Sequence, residues 1–297
     1  MDKSMPKRNW KKSCPTIEEK LKQLQQTLED GVKNFSYSPE HFKAILEMKA
    51  LMPSYSFKNM LVAKAQLPHA SFLASYSRWQ ELGRNVVKGE KAIRIFKPIF
   101  GSNKNKDPKE DVLESDEEIK LVGFCPIPVF DFSQTEGESL PIDQIKIELV
   151  GDCSEAREII EMVHEVADCP ISYGNTGSAN GYYMPGTHEI VVSDKVSINQ
   201  RAKTLVHEYV HSQVHRLGNM STSKEREVVA EGTAFIVCSF FGLDTSSYSF
   251  EYVKGWSQGD GDALLNYGSQ IFDITKTIIE RFRERDGSKD NELLMAV

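Results

Sequence analysis

No apolar run in this chain is long enough to span a bilayer, and the opening MDKSMPKRNWKKSCP is basic without the apolar stretch of a signal peptide. Cysteine is sparse. Cys14, Cys125, Cys153, Cys169 and Cys238 are scattered, odd in number and never in CxxC spacing. That pattern argues against a disulfide framework or a zinc knuckle and for free thiols in a reducing cytoplasm, so a cytoplasmic location is expected. Internal repeats are lacking too, which excludes a solenoid. What is present is 297 residues with 40% hydrophobic content, enough for two domains of ordinary size.

The net charge of −7 conceals an asymmetry. Residues 1–100 hold 18 Lys/Arg against 9 Asp/Glu, residues 101–150 hold 5 against 12, and residues 151–297 hold 13 against 22. A basic first third joined to an acidic remainder points to two units with different partners, the polyanion partner at the N-terminal end.

Periodicity divides the chain in the same way. Thr16-Ile17-Glu18-Glu19 reads as a capping box for a helix with Ile17, Leu21, Leu24 and Leu28 on one face and a stop at Gly31. Ser38-Pro39 is an N-cap and first-turn proline for a second helix, and further helices are expected over 57–66 and 77–82. Residues 91–100 and 119–130 read as strands. The polar, acidic 101–118 between them is expected to be a mobile loop, and 133–144 a linker. Beyond it, 154–167 suits a helix capped by Ser154. Tyr182–Met184 and Glu189–Val192 suit a hairpin through Pro185-Gly186-Thr187-His188, and helices are expected over 198–217, 223–241 and 263–285. The fold class is α+β in two domains: residues 1–135, helical with strands, and residues 145–297, a small sheet ahead of a run of helices. The strand at 189–192 is also a candidate to hold an extended peptide by strand addition, and the tail after 286 is expected to fray.

His207-Glu208-Tyr209-Val210-His211 is an HExxH segment inside the 198–217 helix. Residues four apart share a helix face, so His207 and His211 can offer two imidazoles to one ion while Glu208 stands ready as a proton acceptor. Zinc sites of this kind use three protein ligands, so one is missing. Val214 and Leu217 stand where the extended metzincin pattern requires Gly and His, which excludes that class. His215 shares the face, but a straight helix spreads His207 to His215 over roughly 12 Å, too far for one ion. The better source is KEREVVAEGTAFIVC, where Glu227 and Glu231 lie four apart ahead of an apolar run. The oxyanion-stabilising donor is left open among Tyr182, Tyr183, His215 and Tyr252.

The spacing Glu227-x-x-Ala230-Glu231 resembles the second helix of the Glu-type zincins, the gluzincins. That resemblance implies Glu227 as third metal ligand and Glu231 as the acid that orients a ligand histidine. Zinc is implied as the cofactor, with manganese or iron as alternatives for a two-His, one-carboxylate set. The segments GYYMPGTHEIVVSDK, TLVHEYVHSQVH and REVVAEGTAFIVCSFFGLD resemble the ImmA/IrrE-type metallopeptidases. YSFKNMLVAKAQ, SYSRWQELGRNVVKGEKAIRIFKPI and VFDFSQTEGESLP are similar to the N-terminal domain of ArdC-type antirestriction proteins. The resemblances span 16–260 in ArdC order. They imply an N-terminal single-stranded-DNA-binding domain, a C-terminal zincin-like metallopeptidase domain, and an antirestriction role on mobile elements.

Residues 49–97 agree in sign, with Lys49, Lys58, Lys64, Arg78, Arg84, Lys88, Lys91, Arg94 and Lys97 against Glu81 and Glu90, and with Phe72, Tyr76, Trp79 and Phe96 interleaved. A basic groove with aromatic platforms suits single strands. The candidate DNA contacts are Lys58, Asn59, Arg78, Trp79, Arg84, Lys88, Lys91 and Arg94. The expected partners are single-stranded DNA, with double-stranded DNA as an alternative, and a protein or peptide substrate. Two other functions fit the same residues: a DNA-binding protection protein whose metal is structural or vestigial, and a regulatory metalloprotease that cleaves a repressor.

Overall fold

Short hydroxyl side chains set the helix starts in the first half of the molecule. The computed structural model describes residues 15–101, 120–140, 153–217, 223–243, 250 and 261–286. Within them Thr16, Ser38, Ser56 and Ser75 each accept a backbone N–H three residues on, opening α1 (Ile17–Lys33), α2 (Pro39–Leu51), α3 (Phe57–Gln66) and α4 (Tyr76–Glu81). The Thr16–Glu19 capping box forms as expected. Gly31 does not stop α1, which runs to Lys33, because Gly31 lies against the Ala65 methyl of α3 and the packing there favours a residue without a side chain.

The first sheet runs β1 (Leu73–Ala74), β4 (Lys120–Asp131), β3 (Ile93–Gly101), all antiparallel, with a short pair β2 (Arg84–Val86) and β5 (Thr135–Gly137) beside it. The expected linker at 133–144 is therefore partly built structure. Asp131, fully buried, accepts from the backbone N–H groups of Ser71 (2.6 Å), Phe72 (3.0 Å) and Ser133 (2.9 Å). Gln134 accepts from Asp131 N (2.9 Å) and donates to Glu90 Oε2 and Lys91 O, both at 2.9 Å. The VFDFSQTEGE stretch is thus a knot that ties the end of β4 to the turn between β2 and β3. Most of the expected 101–118 loop and the tail after 286 lie outside the described residues.

The second sheet is ordered β6 (Ile171–Gly174), β8 (Glu189–Ser193), β7 (Gly181–Met184). The β7–β8 hairpin is the expected one, and β6 joins β8 in parallel. With β8 paired on both sides, residues 189–192 have no edge to give an incoming peptide. In this sheet β6 and β7 are the edge strands, each with β8 as its partner among the described residues. Four helices complete the fold: α5 (Cys153–Val166), α6 (Ile198–Leu217), α7 (Ser223–Phe240) and α8 (Gly261–Asp286).

One buried core runs through both halves. α2 packs on α7 and α3 on α8. Phe42 meets Phe250 edge-on at 5.6 Å between centroids, and Phe57 meets Phe272 at 5.1 Å. Each such ring contributes about 1.5–3 kcal/mol by leaving water. Phe57 comes so close to α8 that a Cβ at Gly268 would stand 2.3 Å from its ring. Lys49, counted from sequence with the basic face, is buried here instead. Its ammonium donates to Pro53 O (2.6 Å) and Tyr55 O (2.8 Å) and stands 4.6 Å from the centre of the Phe272 ring. Burial brings its pKa down to about 7.

Candidate metal centre and basic face

α6 begins after Ser197, whose hydroxyl accepts the Gln200 N–H at 3.3 Å. Its buried face carries Ala202, Leu205, Val206, Tyr209 and Val210, and this sets the rotation of the helix. His207 and His211 then stand one turn apart with their Nε2 atoms 3.1 Å from each other. α7 brings its first two turns across them. Glu227 places Oε2 3.4 Å from His207 Nε2 and Oε1 3.2 Å from His211 Nε2. Glu231 Oε2 lies 3.4 Å from His207 Nδ1, on the far side of the same ring.

These separations suit a metal. An ion with ligand bonds of ~2.0–2.1 Å in tetrahedral array holds its donors roughly 3.3 Å apart. His207, His211 and Glu227 supply such a set, with all ligand atoms within 4.8 Å of one another. Glu231 occupies the place of an acid that fixes the tautomer of a ligand histidine. Burial opposes a charge on His207, but Glu227 and Glu231 outweigh it and push its pKa up to about 9. The same histidines hold the Glu227 carboxyl well below the usual carboxylate range.

Glu208 lines a cleft beside this pair. It is buried, and burial raises its pKa above the ordinary carboxylate value against the pull of His207 and His211. The Tyr183 backbone N–H reaches its carboxylate from β7. Gly181 lets β7 come this close, since a Cβ there would meet Thr204 Cγ2 at 2.6 Å and Glu208 Cγ at 3.5 Å. A cleft of about 390 Å³ opens beside these groups, lined also by Asn180, Gln200, Lys203 and Thr204. Sequence spacing did not reveal Gly181 or Tyr183; their role depends on the hairpin lying over α6. Of the four open oxyanion donors, Tyr183 has its hydroxyl 2.9 Å from His188 Nδ1 and Tyr182 is exposed. The side chain of His215 and all of Tyr252 lie outside the described residues.

The N-terminal candidates separate into two groups, and three of them are corrections. Trp79 is 0% exposed, its indole N–H donating to Phe130 O at 2.9 Å and its ring edge-on to Phe72, so it belongs to the core. Asn59 is buried because its amide pairs with both backbone groups of Phe96 at 2.9 Å, covering the edge of β3. Arg84 is buried under Phe132 and donates to Thr135 Oγ1 (2.9 Å), Thr135 O (3.0 Å) and Glu138 O. A planar guanidinium with that many neutral acceptors is a staple between β2 and β5. Arg78 pairs with Glu81 at 2.8 Å. Lys58, Lys88 and Lys91 are exposed and Arg94 is half-exposed. Of the interleaved aromatics Tyr76 is 51% exposed, and aromatic surface is also found where sequence did not place it: Phe100 and Phe124 stand out from β3 and β4, 59% and 47% exposed.

Residues 16–127 match the family described as the N-terminal domain of anti-restriction factor ArdC. An uncharacterised protein of Bacillus anthracis is 24% identical over 94% of this chain, and the match takes in 55% of that protein, so the chain spans about half the length of that curated relative. The metal-free crystal structure of the antirestriction ArdC protein from the R388 plasmid aligns with 88% of this chain and 98% of its own, with a TM-score of 0.53 and 19% identity. Its Mn(II)-bound structure covers 87% and 97%, with a TM-score of 0.50 and the same identity.

Proposed function

Taking as premise that this chain is of the ArdC type, its residues 16–127 belonging to the ArdC N-terminal domain family and its fold shared with ArdC, we propose that it is an antirestriction factor. In this reading it protects DNA by binding single strands on its N-terminal basic face and carries a metal-dependent peptidase-type site on α6 and α7. The convergence of His207, His211 and Glu227 at 3.1–3.4 Å, with Glu208 buried beside them, carries the second half.

His207, His211 and Glu227 would hold a divalent ion, and Glu231 would orient His207. Two imidazoles and a carboxylate favour zinc and also admit manganese or iron. The Mn(II)-bound ArdC structure from R388 keeps manganese in consideration. When bound, such an ion supplies Lewis acidity toward a carbonyl and a water. Glu208 accepts the proton of the attacking water on its carboxylate and returns it to the leaving amine nitrogen. Its raised pKa suits both transfers. The edge of β7 that faces away from β8 can take an extended peptide as an added strand.

On the other half, Lys88 and Lys91 sit on the turn that Gln134 braces, so their backbone is already ordered when phosphate arrives. Tyr76, Phe100 and Phe124 offer faces for base stacking. The test of the whole reading is one variant measured two ways. Glu208→Gln keeps metal and DNA affinity and lowers peptide hydrolysis by ~10²–10⁴-fold; if antirestriction survives it undiminished, hydrolysis is not the working part and protection rests on DNA binding. A metal-replete preparation with no ion lost in the His207→Ala, His211→Ala double variant would overturn the site assignment.

A further inference from the structure

A second set of ligating side chains lies away from the HExxH triad. Asp168 and Cys169 follow α5 in the connection to β6, and His188 stands in the turn between β7 and β8. Their carboxylate, thiol and imidazole ligand atoms all lie within 4.8 Å of one another. His188 Nε2 is 3.5 Å from Asp168 Oδ1, and its other nitrogen, Nδ1, is 2.9 Å from the Tyr183 hydroxyl. The tautomer that donates Nδ1–H to that hydroxyl turns the Nε2 lone pair toward a carboxylate. In that tautomer two acceptors and a sulfur face one another, an arrangement that a cation between them satisfies. A histidine buttressed through its outer nitrogen is the usual form of a metal ligand. His188 is also the one residue other than glycine with a positive φ among those described, 55°, a sparsely populated conformation that the turn imposes on it.

We propose that Asp168, Cys169 and His188 form a second metal site, separate from the HExxH triad, which takes a thiophilic divalent ion of the zinc type. Cys169 is the selective element, since thiolate favours zinc over magnesium, calcium and manganese. Binding releases the thiol proton to solvent, and exposed Asp168 and half-exposed His188 leave an entry path. The consequence is positional. The ion ties the β7–β8 turn to the α5–β6 connection, and β7 is the strand whose Tyr183 N–H meets Glu208. The site stands independently of whether the triad hydrolyses peptides.

The experiment is a Co2+ titration of the full-length chain after removal of metal by chelator dialysis. Cobalt bound to thiolate gives an intense near-ultraviolet charge-transfer band, which the two-imidazole, one-carboxylate triad has no sulfur to produce. Wild type is expected to take two equivalents and show the band. The His207→Ala, His211→Ala double variant keeps one equivalent with the band, and Cys169→Ser keeps one without it. Should Cys169→Ser not fold, His188→Gln on the turn carries the same expectation, with circular dichroism to verify its fold. Absence of the band in wild type, or its persistence in Cys169→Ser through other thiols, overturns the site and leaves a hydrogen-bonded Tyr183–His188–Asp168 chain in its place. If the band and one equivalent are present in wild type and in the double variant alike, the second site holds and it is the triad assignment that fails.

Discussion

The α6–α7 site and the N-terminal basic face were both read from side-chain chemistry, yet the structure treats them differently. At the site, His207, His211, Glu227 and Glu231 all converge. On the basic face, Trp79, Asn59 and Arg84 turn inward while Lys58, Lys88 and Lys91 stay outside. The difference lies in what fixes each side chain. Two residues four apart on a helix have one relative placement, whatever else the chain does. A basic or aromatic residue in a short strand or loop takes its direction from partners fifty residues away, as Arg84 does from Thr135.

The largest expected effect tests the convergent half. The His207→Ala, His211→Ala double variant should lose the ion of the triad outright, measured by metal analysis after dialysis. Glu208→Gln should retain it while peptide hydrolysis falls by ~10²–10⁴-fold. Next come the inward residues of the other half. Trp79→Ala should cost about 3–5 kcal/mol of stability in denaturant unfolding, as a large buried ring lost from a core. Arg84→Ala should cost about 1.5–3 kcal/mol for each charged hydrogen bond removed. A Trp79→Ala chain as stable as wild type, with DNA affinity alone reduced, would return Trp79 to the binding face. The outward lysines should behave in the opposite way. Lys88→Ala with Lys91→Ala should leave the melting temperature unchanged and lower the salt slope of single-strand binding by roughly 1.4, about 0.7 per phosphate contact.

The smallest effect concerns pH. In metal-free protein the His207 pKa is pushed up to about 9, against 6.5 for the ordinary imidazole. Its protonated form therefore stabilises the fold fully below about pH 6.5, and that contribution is lost as pH rises through about 9. Metal must displace the same proton, so affinity for the ion should rise over this range. Thermal melts of chelated wild type should fall from pH 6.5 to 9 more steeply than those of His207→Ala; parallel curves would show that the carboxylates do not act on this ring.

Local signals account for what was legible. The Thr16 box, the Ser38-Pro39 start, the HExxH helix and the β7–β8 hairpin each depend on residues within one or two turns of each other, and each is where spacing put it. The two-residue β1, the β2–β5 pair and the parallel β6–β8 pairing depend on partners far along the chain, and two or three residues carry no period to read. The same limit hid the bonds of Ser133 and Gln134, which close the knot around Asp131 from inside what composition marks as a linker. Gly181 and Tyr183 completed the surroundings of Glu208 through a tertiary contact that no spacing rule contains.

The close approach of Phe57 to Gly268 reaches beyond packing. The matched family region ends at residue 127, a natural place to cut the gene. Yet a fragment ending there would leave Phe42 and Phe57 without Phe250 and Phe272. Such a fragment should come out of the cell insoluble or self-associated, and a single methyl at residue 268 in the intact chain should loosen the same joint. The N-terminal half and the half that carries the α6 histidines are therefore inherited as one piece: selection for either must preserve the surface that joins it to the other.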